Sequence, residues 1–548
     1  MLKTVLKLSV VATIALCITS CGGNSKKASN KLNDSDFEKL ELVGQNIKSV
    51  DGGEAVVANM IPSNAILALR VNPEQLWDKA FGSIDSRNIY AYDNMMGALY
   101  ESLPLLREPE TIGLDLEKPV VLSVSTDIKS IEPFSGVLEA CVVASLDDRD
   151  NLIKQIDVLV ETLKKENEVE ITKTDFGGKY THYMLYADEE GAFDLGVFPS
   201  AAVLRVTYAP SATFENMETT LAKLFIDGTS ADTEGLKKFY GSQSDAALWV
   251  DAEKFMNTIM SLGEKYSEDA YNQLLPLLPM YEGASMVSEL NFNDGNTTLE
   301  FGIYGSDKLK EQALKYNTPA SNKYFKYLPA SSAFVLNVAI KNFPGLVEEL
   351  SQTNEEFAEI FESLEPLGFD KEFYEGFPGV ITCAVDGHSL GSSEDPHIVL
   401  FMECDRNVWE TLESYIYEVA DNVDYDLYSI DNQYYIGYVD GAIMMMDAST
   451  RYRMEYGYVD SFDTTDLAWE IRKGGMALNL EALPYYVLDQ EEFRLSGYDI
   501  LEFVSSVVVT TSPDFMSATI KVNMGDPYQN FLSKIVNFAL ESIAYDMY

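Results

Sequence analysis

The chain repeats itself, and a repeat restricts the possible folds more than any single residue does. Residues 61–71, opening Ile61-Pro62-Ser63-Asn64-Ala65, match residues 328–338, opening Leu328-Pro329-Ala330-Ser331-Ser332, without a gap. Each stretch reads as a strand leading into a helix, over 73–80 and 342–350. Ile112-Gly113-Leu114-Asp115 then matches Leu367-Gly368-Phe369-Asp370. A strand ending at Leu146 meets Asp148 and a helix through Leu163. Its counterpart ends at Cys404 and meets Asp405 and a helix through Val419. Aspartate suits both helix starts, because its carboxylate accepts from backbone N–H groups that the first turn leaves unpaired. The turn over 176–180 parallels 430–434, 196–206 parallels 437–447, and 245–251 parallels 475–481. Last comes a hairpin at Asp294-Gly295, a dipeptide that tolerates positive φ at both turn positions. Its partner lies at Ser512-Pro513-Asp514. The final strands run into helices over 306–316 and 525–540.

Matches that keep one order along the chain point to internal duplication. Apolar and alternating strand runs, many linked as hairpins, surround single helices. The expected fold is α+β: two tandem homologous halves, each a largely antiparallel sheet with helices packed on one face. The partition read from the sequence is a leader over 1–20, a tether and lead-in over 21–58, a first half over 59–320 and a second over 321–548. The boundary is placed where Pro319, Ala320, Ser321 and Asn322 cluster. A hydrophobic content of 46% supplies core for both halves.

The leader sets the expected location. Lys3 and Lys7 precede an apolar run from Leu8 to Ile18, then Thr19, Ser20 and Cys21. The run is too short to cross roughly 30 Å of hydrocarbon, so an export signal is the reading. A cysteine directly after small residues is the layout of a lipoprotein signal, with Ile18 where Leu is usual. Cys21 is the expected lipidation site, and several acyl chains on one residue make a stable membrane anchor. Gly22, Gly23, Asn24 and Ser25 open a flexible tether. Lys26 and Lys27 come before the first acid, Asp34, so the periplasmic face of the outer membrane is expected rather than the cell surface.

A net charge of −47 excludes phosphate backbones as partners, because a surface this acidic repels them. Without Cys17 and Cys21 the cysteines are Cys141, Cys383 and Cys404, an odd number in an oxidising compartment. Each sits in an apolar run and reads as a buried thiol; a Cys383–Cys404 pair is possible without being forced. The three histidines, His182, His388 and His397, leave little room for imidazole chemistry or a histidine-ligated metal.

One motif looks catalytic. Gly387-His388-Ser389-Leu390-Gly391 fits the G-x-S-x-G pattern, in which a strained strand-to-helix elbow exposes the serine. Here a strand precedes it, but a loop and another strand follow. Only His397 comes after Ser389, within that next strand, so the serine–acid–histidine order fails. Ser389 is kept as the alternative nucleophile, and a glycine-rich hairpin loop is the main reading. Asp421, Asp424, Asp426 and Asp431 offer oxygens of the kind calcium prefers, but without EF-hand spacing they read as a solvated turn. The tyrosines between Tyr415 and Tyr458 suit either strand packing or stacking on a sugar or protein partner. Met444-Met445-Met446 reads as core. No polar constellation is seen to recur in both halves.

The relaxed lipobox, the opening Ile61-Pro62-Ser63-Asn64-Ala65 and the stretch Asn72-Pro73-Glu74-Gln75-Leu76-Trp77 resemble the lipoproteins grouped as domain of unknown function 4836. The resemblance covers most of the mature chain and implies a lipoprotein of the Gram-negative envelope. It brings no catalytic residue and no cofactor. The expected role is a non-catalytic, lipid-anchored protein that binds or scaffolds a protein or glycan. The alternatives are a serine hydrolase using Ser389 and a calcium-dependent structural module.

Overall fold

The computed structural model describes residues 32–546, apart from 49–54, 103–108, 131–134, 168–170, 189–190, 210–213, 215, 229–232, 268–270, 273, 354, 369, 378, 391–395, 485–493, 496–497 and 500–502. Cys21 and the leader lie outside the described residues. The chain divides into two compact units. The first takes the described residues up to Phe292, with Phe301–Ser306 and the C-terminal helix from Leu532. The second takes Asn293–Glu300 and Asp307–Phe531. The division therefore falls earlier than the expected boundary at 318–324. The helix Asp307–Tyr316 belongs to the second unit, where Gln312 and Lys315 reach Glu349 at 3.0 and 2.6 Å.

In the first unit, β1 (Asn46–Lys48) and β2 (Ala55–Val57) form a short hairpin. The main sheet is built from β3 (Ala65–Val71), β4 (Val120–Ser130), β5 (Ser135–Ser145), β6 (Thr172–Asp175), β7 (Thr181–Ala187), β8 (Gly191–Val197), β9 (Ala201–Tyr208), β10 (Ala246–Asp251) and β11 (Ser285–Asn293). These strands pair antiparallel, in the order β11–β10–β3–β4–β5–β9–β8–β7–β6. β12 (Asn296–Tyr304) follows the Asp294-Gly295 turn.

The second unit carries β13 (Ser332–Ala339), β14 (Val380–Asp386), β15 (Ile398–Glu403), β16 (Asp421–Asp424), β17 (Leu427–Ile430), β18 (Tyr434–Val439), β19 (Ala442–Asp447) and β20 (Gly475–Asn479). A two-rung ladder of β21 (Arg494–Leu495) and β22 (Tyr498–Asp499) precedes β23 (Val504–Thr511) and β24 (Ser517–Met524). The sheet order is β24–β23–β20–β13–β14–β15–β19–β18–β17–β16.

From β23 to β16 this is, strand for strand, the order of the nine strands of the first unit. The likeness extends to irregularities. β3 and β4 slip register between Ala65 and Leu67; β13 and β14 slip between Ser332 and Phe334, the residues the sequence aligned with them. Gly113 and Gly368 both hold positive φ, +93° and +85°. Arg70 donates to the carbonyls of Phe239 and Tyr240 that end the helix Glu234–Gly241. Its aligned residue Asn337 donates to the carbonyl of Ile471, which ends Asp466–Ile471.

The ladders also correct three sequence expectations. The 176–180 turn joins β6 to β7, so its counterpart is the turn at Tyr425-Asp426, not 430–434, which joins β17 to β18. Asp148 caps its helix, accepting from Asn151 N at 3.0 Å, but the Asp405 side chain makes no cap bond. Helices also cover both sheet faces. Ala201 and Val203 of β9 join one core with Leu221 and Phe225. Ala202 between them joins another with Leu152 and Val160 of Arg149–Asn167. The second unit repeats this, with Met444 in one core and Ile443 in another beside Trp409. Successive strand residues point to opposite faces, so one strand serves two cores. Met444 and Met446 are buried as expected.

Candidate functional site

The sheet brings together polar residues that the sequence scatters. In the first unit Asp194 on β8 lies opposite Arg205 on β9, and Arg205 lies opposite Cys141 on β5. Arg205 grips Asp194 with two bonds, Nε to Oδ1 at 2.9 Å and Nη2 to Oδ2 at 2.7 Å. His182 Nε2 meets Asp194 Oδ2 at 2.8 Å, and Arg205 Nη1 lies 3.4 Å from Glu139. The network ends where Asn64 bridges Glu139 and Ser125, at 3.0 and 2.9 Å. All six residues but Asn64 are buried. Burial pushes the Asp194 carboxyl up, but Arg205 and the His182 bond outweigh it and hold it below the ordinary carboxylate range.

The corresponding positions in the second unit are polar only at one end. Asn64, Ser125 and Glu139 are replaced by Ser331, Asp386 and His397. Arg205, Asp194 and His182 are replaced by Met446, Tyr435 and Leu427, which join the apolar core or pack on it. Tyr435 receives a guanidinium over its ring instead of beside a carboxylate, with Arg451 4.4 Å from the centroid. Only one end of the polar line therefore recurs in the second unit, at Ser331, Asp386 and His397. Sequence alignment missed it because the matched residues differ in type. A charge at an inward position of an apolar strand, as at Glu139, Asp194 and Arg205, is the signal that was there.

This polar end in the second unit opens to a cleft. β14 ends at Asp386, which is fully buried and accepts from Ser331 Oγ at 2.9 Å and from Arg453. One 3-10 turn, Gly387–Ser389, follows. Gly387 is required by packing: a Cβ there would stand 2.1 Å from the Ala482 carbonyl oxygen. That close approach places Ser331 and His388 opposite Asn479, Glu481, Leu483 and Pro484, around a shallow cleft of about 380 Å³. His397 Nδ1 lies 3.6 Å from Asp447 Oδ1, and Asp447 caps the helix Ala448–Glu455 through Thr450 N at 2.8 Å. His397 Nδ1, Asp447 Oδ2 and Thr450 Oγ1 are buried with no hydrogen-bond partner.

Ser389 is buried in this turn. Its Oγ donates to Asp386 O at 2.7 Å and accepts from His397 N at 2.9 Å. The hydroxyl ties two strand ends together rather than facing the cleft, as a hairpin-loop serine would. Gly391 lies outside the described residues.

The other sequence candidates part company. Asp426 is paired with Arg406, whose Nη2 reaches it at 2.6 Å, and this bond holds its carboxyl low. Asp421 and Asp424 lie on the exposed β16, and Asp426 and Asp431 hold positive φ in turns. Among the described residues no group of three or more histidine, cysteine or acidic side chains converges to hold a metal ion. Cys141, Cys383 and Cys404 are free thiols. Cys383 faces Leu400 across the ladder, four residues before Cys404, a spacing of roughly 13 Å along a strand. Burial pushes the Cys404 thiol up to about 11. The tyrosines divide: Tyr428 is buried and donates to Glu413 at 2.8 Å, while Tyr452, Tyr456 and Tyr458 are exposed.

No curated protein and no solved structure matches this chain. The family model described as domain of unknown function (DUF4836) matches residues 57–446, from the lead-in of the first unit to the end of β19. That span holds the first-unit network with Ser331, Asp386 and Ser389, and stops short of Arg453, Asn479 and Glu481. With more than half its length matched, the chain belongs to the family defined by that domain of unknown function (DUF4836).

Proposed function

We propose that this protein is a lipid-anchored component of a Gram-negative envelope that binds a partner without transforming it. The two units are read as descendants of one ancestral α+β module, which the shared strand order and shared register slip support. Cys21 carries the lipid, and the tether after it holds the body at the periplasmic face of the outer membrane.

The observation that carries the non-catalytic reading is Ser389. A nucleophile needs its hydroxyl exposed and within reach of a base. This one is buried, donates to a backbone carbonyl and accepts from a backbone amide. The cleft beside it offers hydroxyl, imidazole, amide and carboxylate groups suited to holding a ligand. The test is turnover of p-nitrophenyl acetate by the full chain. The expected result is no hydrolysis above the buffer rate. Turnover that vanishes in Ser389→Ala would overturn the proposal in favour of an envelope hydrolase.

A further inference from the structure

Three tyrosines stand exposed on a segment that reaches the cleft through its neighbours in the chain. Tyr452, Tyr456 and Tyr458 are 52%, 66% and 67% exposed. Their rings nevertheless lie against one another. Centroids are 4.6 Å apart for Tyr452–Tyr456, 5.8 Å for Tyr452–Tyr458 and 6.4 Å for Tyr456–Tyr458, with planes inclined by 26° to 40°. The helix Ala448–Glu455 is held by other residues: Asp447 at its cap, buried Thr450, and Arg453 reaching Asp386. Its outward tyrosines therefore present aromatic surface to water that stability does not call for, and an exposed patch of this kind marks a contact surface.

The segment bearing the triad is tied to the cleft at two points. Arg453, next to Tyr452, donates to Ser331 Oγ at 3.4 Å. Asp460, two residues after Tyr458, accepts from Ala330 N at 2.7 Å. Ala330 and Ser331 both line the cleft.

From this juxtaposition we propose that the triad and the cleft form one binding site for a neutral oligosaccharide. An aromatic ring is amphipathic, with an apolar face and a wet edge, and the C–H face of a pyranose stacks on such a face. Sugar hydroxyls both donate and accept, as the lining requires: Glu481 only accepts, Ser331 can only accept because its hydroxyl already donates to Asp386, and His388 and Asn479 do either. A cleft of about 380 Å³ falls in the small-ligand range of roughly 300–1,000 Å³ and is too small for a folded partner. Neutrality follows from charge. The chain carries −47, Glu481 faces the cleft, and the guanidinium that reaches Ser331 on its rim, Arg453, is already paired with Asp386. A uronate or sulfated glycan would be repelled. This inference rests on the non-catalytic binding reading and goes beyond it by naming the ligand class and the site.

The test is calorimetric titration of the full chain in detergent with maltohexaose, cellohexaose, mannohexaose and xylohexaose, with an oligogalacturonate hexamer as the acidic control. At least one neutral hexasaccharide is expected to bind, and the acidic hexamer not to. Replacing Tyr452, Tyr456 and Tyr458 together with Ala should weaken binding by about tenfold or more, while the triple Phe variant keeps it, since the ring faces persist. Asn479→Ala should weaken it from the other side of the cleft. An unchanged melting temperature shows that each variant is folded. No binding of any neutral hexasaccharide, or binding indifferent to the triple Ala change, overturns the inference. So does a protein partner lost in the triple Ala variant while sugars do not bind. The broader reading fails separately, through ester turnover that depends on Ser389.

Discussion

Arg205 and Asp194 show how a single residue pair can dominate one unit. Both are essentially inaccessible to water, and removing one partner leaves an uncompensated buried charge. Arg205→Met should therefore cost roughly 3–5 kcal/mol, read by urea unfolding. Because Asp194 holds its proton less readily when folded than when unfolded, the folded state binds fewer protons. Its contribution is complete above the ordinary carboxylate range, near about pH 4, and is lost as the pH falls through and below it. Acid unfolding should start there, and Asp194→Asn should lower the stability plateau at neutral pH while flattening that acid limb. A smaller effect is expected at Ser389. Its hydroxyl satisfies a buried amide and carbonyl between two strand ends, so Ser389→Ala should cost about 1–3 kcal/mol. A larger loss of activity than of stability would contradict the structural role. The charges at Glu139, Asp194 and Arg205 were visible in the sequence as polar residues within apolar strands. Which charge met which was not, because the partners come from strands 11 to 66 positions apart.

At the scale of elements, matching glycines do unequal work. Gly113 and Gly368 both adopt positive φ, which L side chains rarely hold. A Cβ on Gly113 would also stand 2.0 Å from the Asp148 carbonyl oxygen, whereas on Gly368 the nearest atom is Thr411 Cγ2 at 3.5 Å. Gly113→Ala should therefore lower the melting temperature clearly more than Gly368→Ala. The C-terminal helix Phe531–Asp546 makes a second case. Asn537 accepts from Asp85 N at 2.8 Å, donates to Ser83 O at 3.0 Å and receives Asn88 at its own carbonyl, 3.0 Å away. Asn537→Leu should cost about 1–3 kcal/mol. Amide exchange should rise around Ser83 to Asn88 in the first unit, although the change sits near the end of the chain. The sequence placed a helix over 525–540 after the final strand, a few residues ahead of where it runs. Its destination was not legible, since no local pattern names a partner more than 400 residues away.

For the whole molecule, acidity and anchoring set the expected behaviour. A chain at −47 is repelled by anionic surfaces and kept dispersed, so the proposed lipid on Cys21 would supply the membrane attachment. Among the described residues no helix is long and apolar enough to cross a membrane. Cys21→Ala is expected to release a folded protein into the soluble fraction; a variant that stays with the membrane would sink the lipoprotein proposal. The sequence by itself determined the α+β class and the recurring order of strands, turns and helices. Both follow from short-range causes: alternation of period two, helical periodicity, and turn residues that accept positive φ. Only the tertiary structure decided that each strand serves two cores, and that the C-terminal helix joins the first unit. It alone showed a polar line buried in one unit and reduced in the other to a rim beside an open cleft. Those outcomes depend on cross-strand register, which pairs residues far apart in the chain and leaves no local mark on either one.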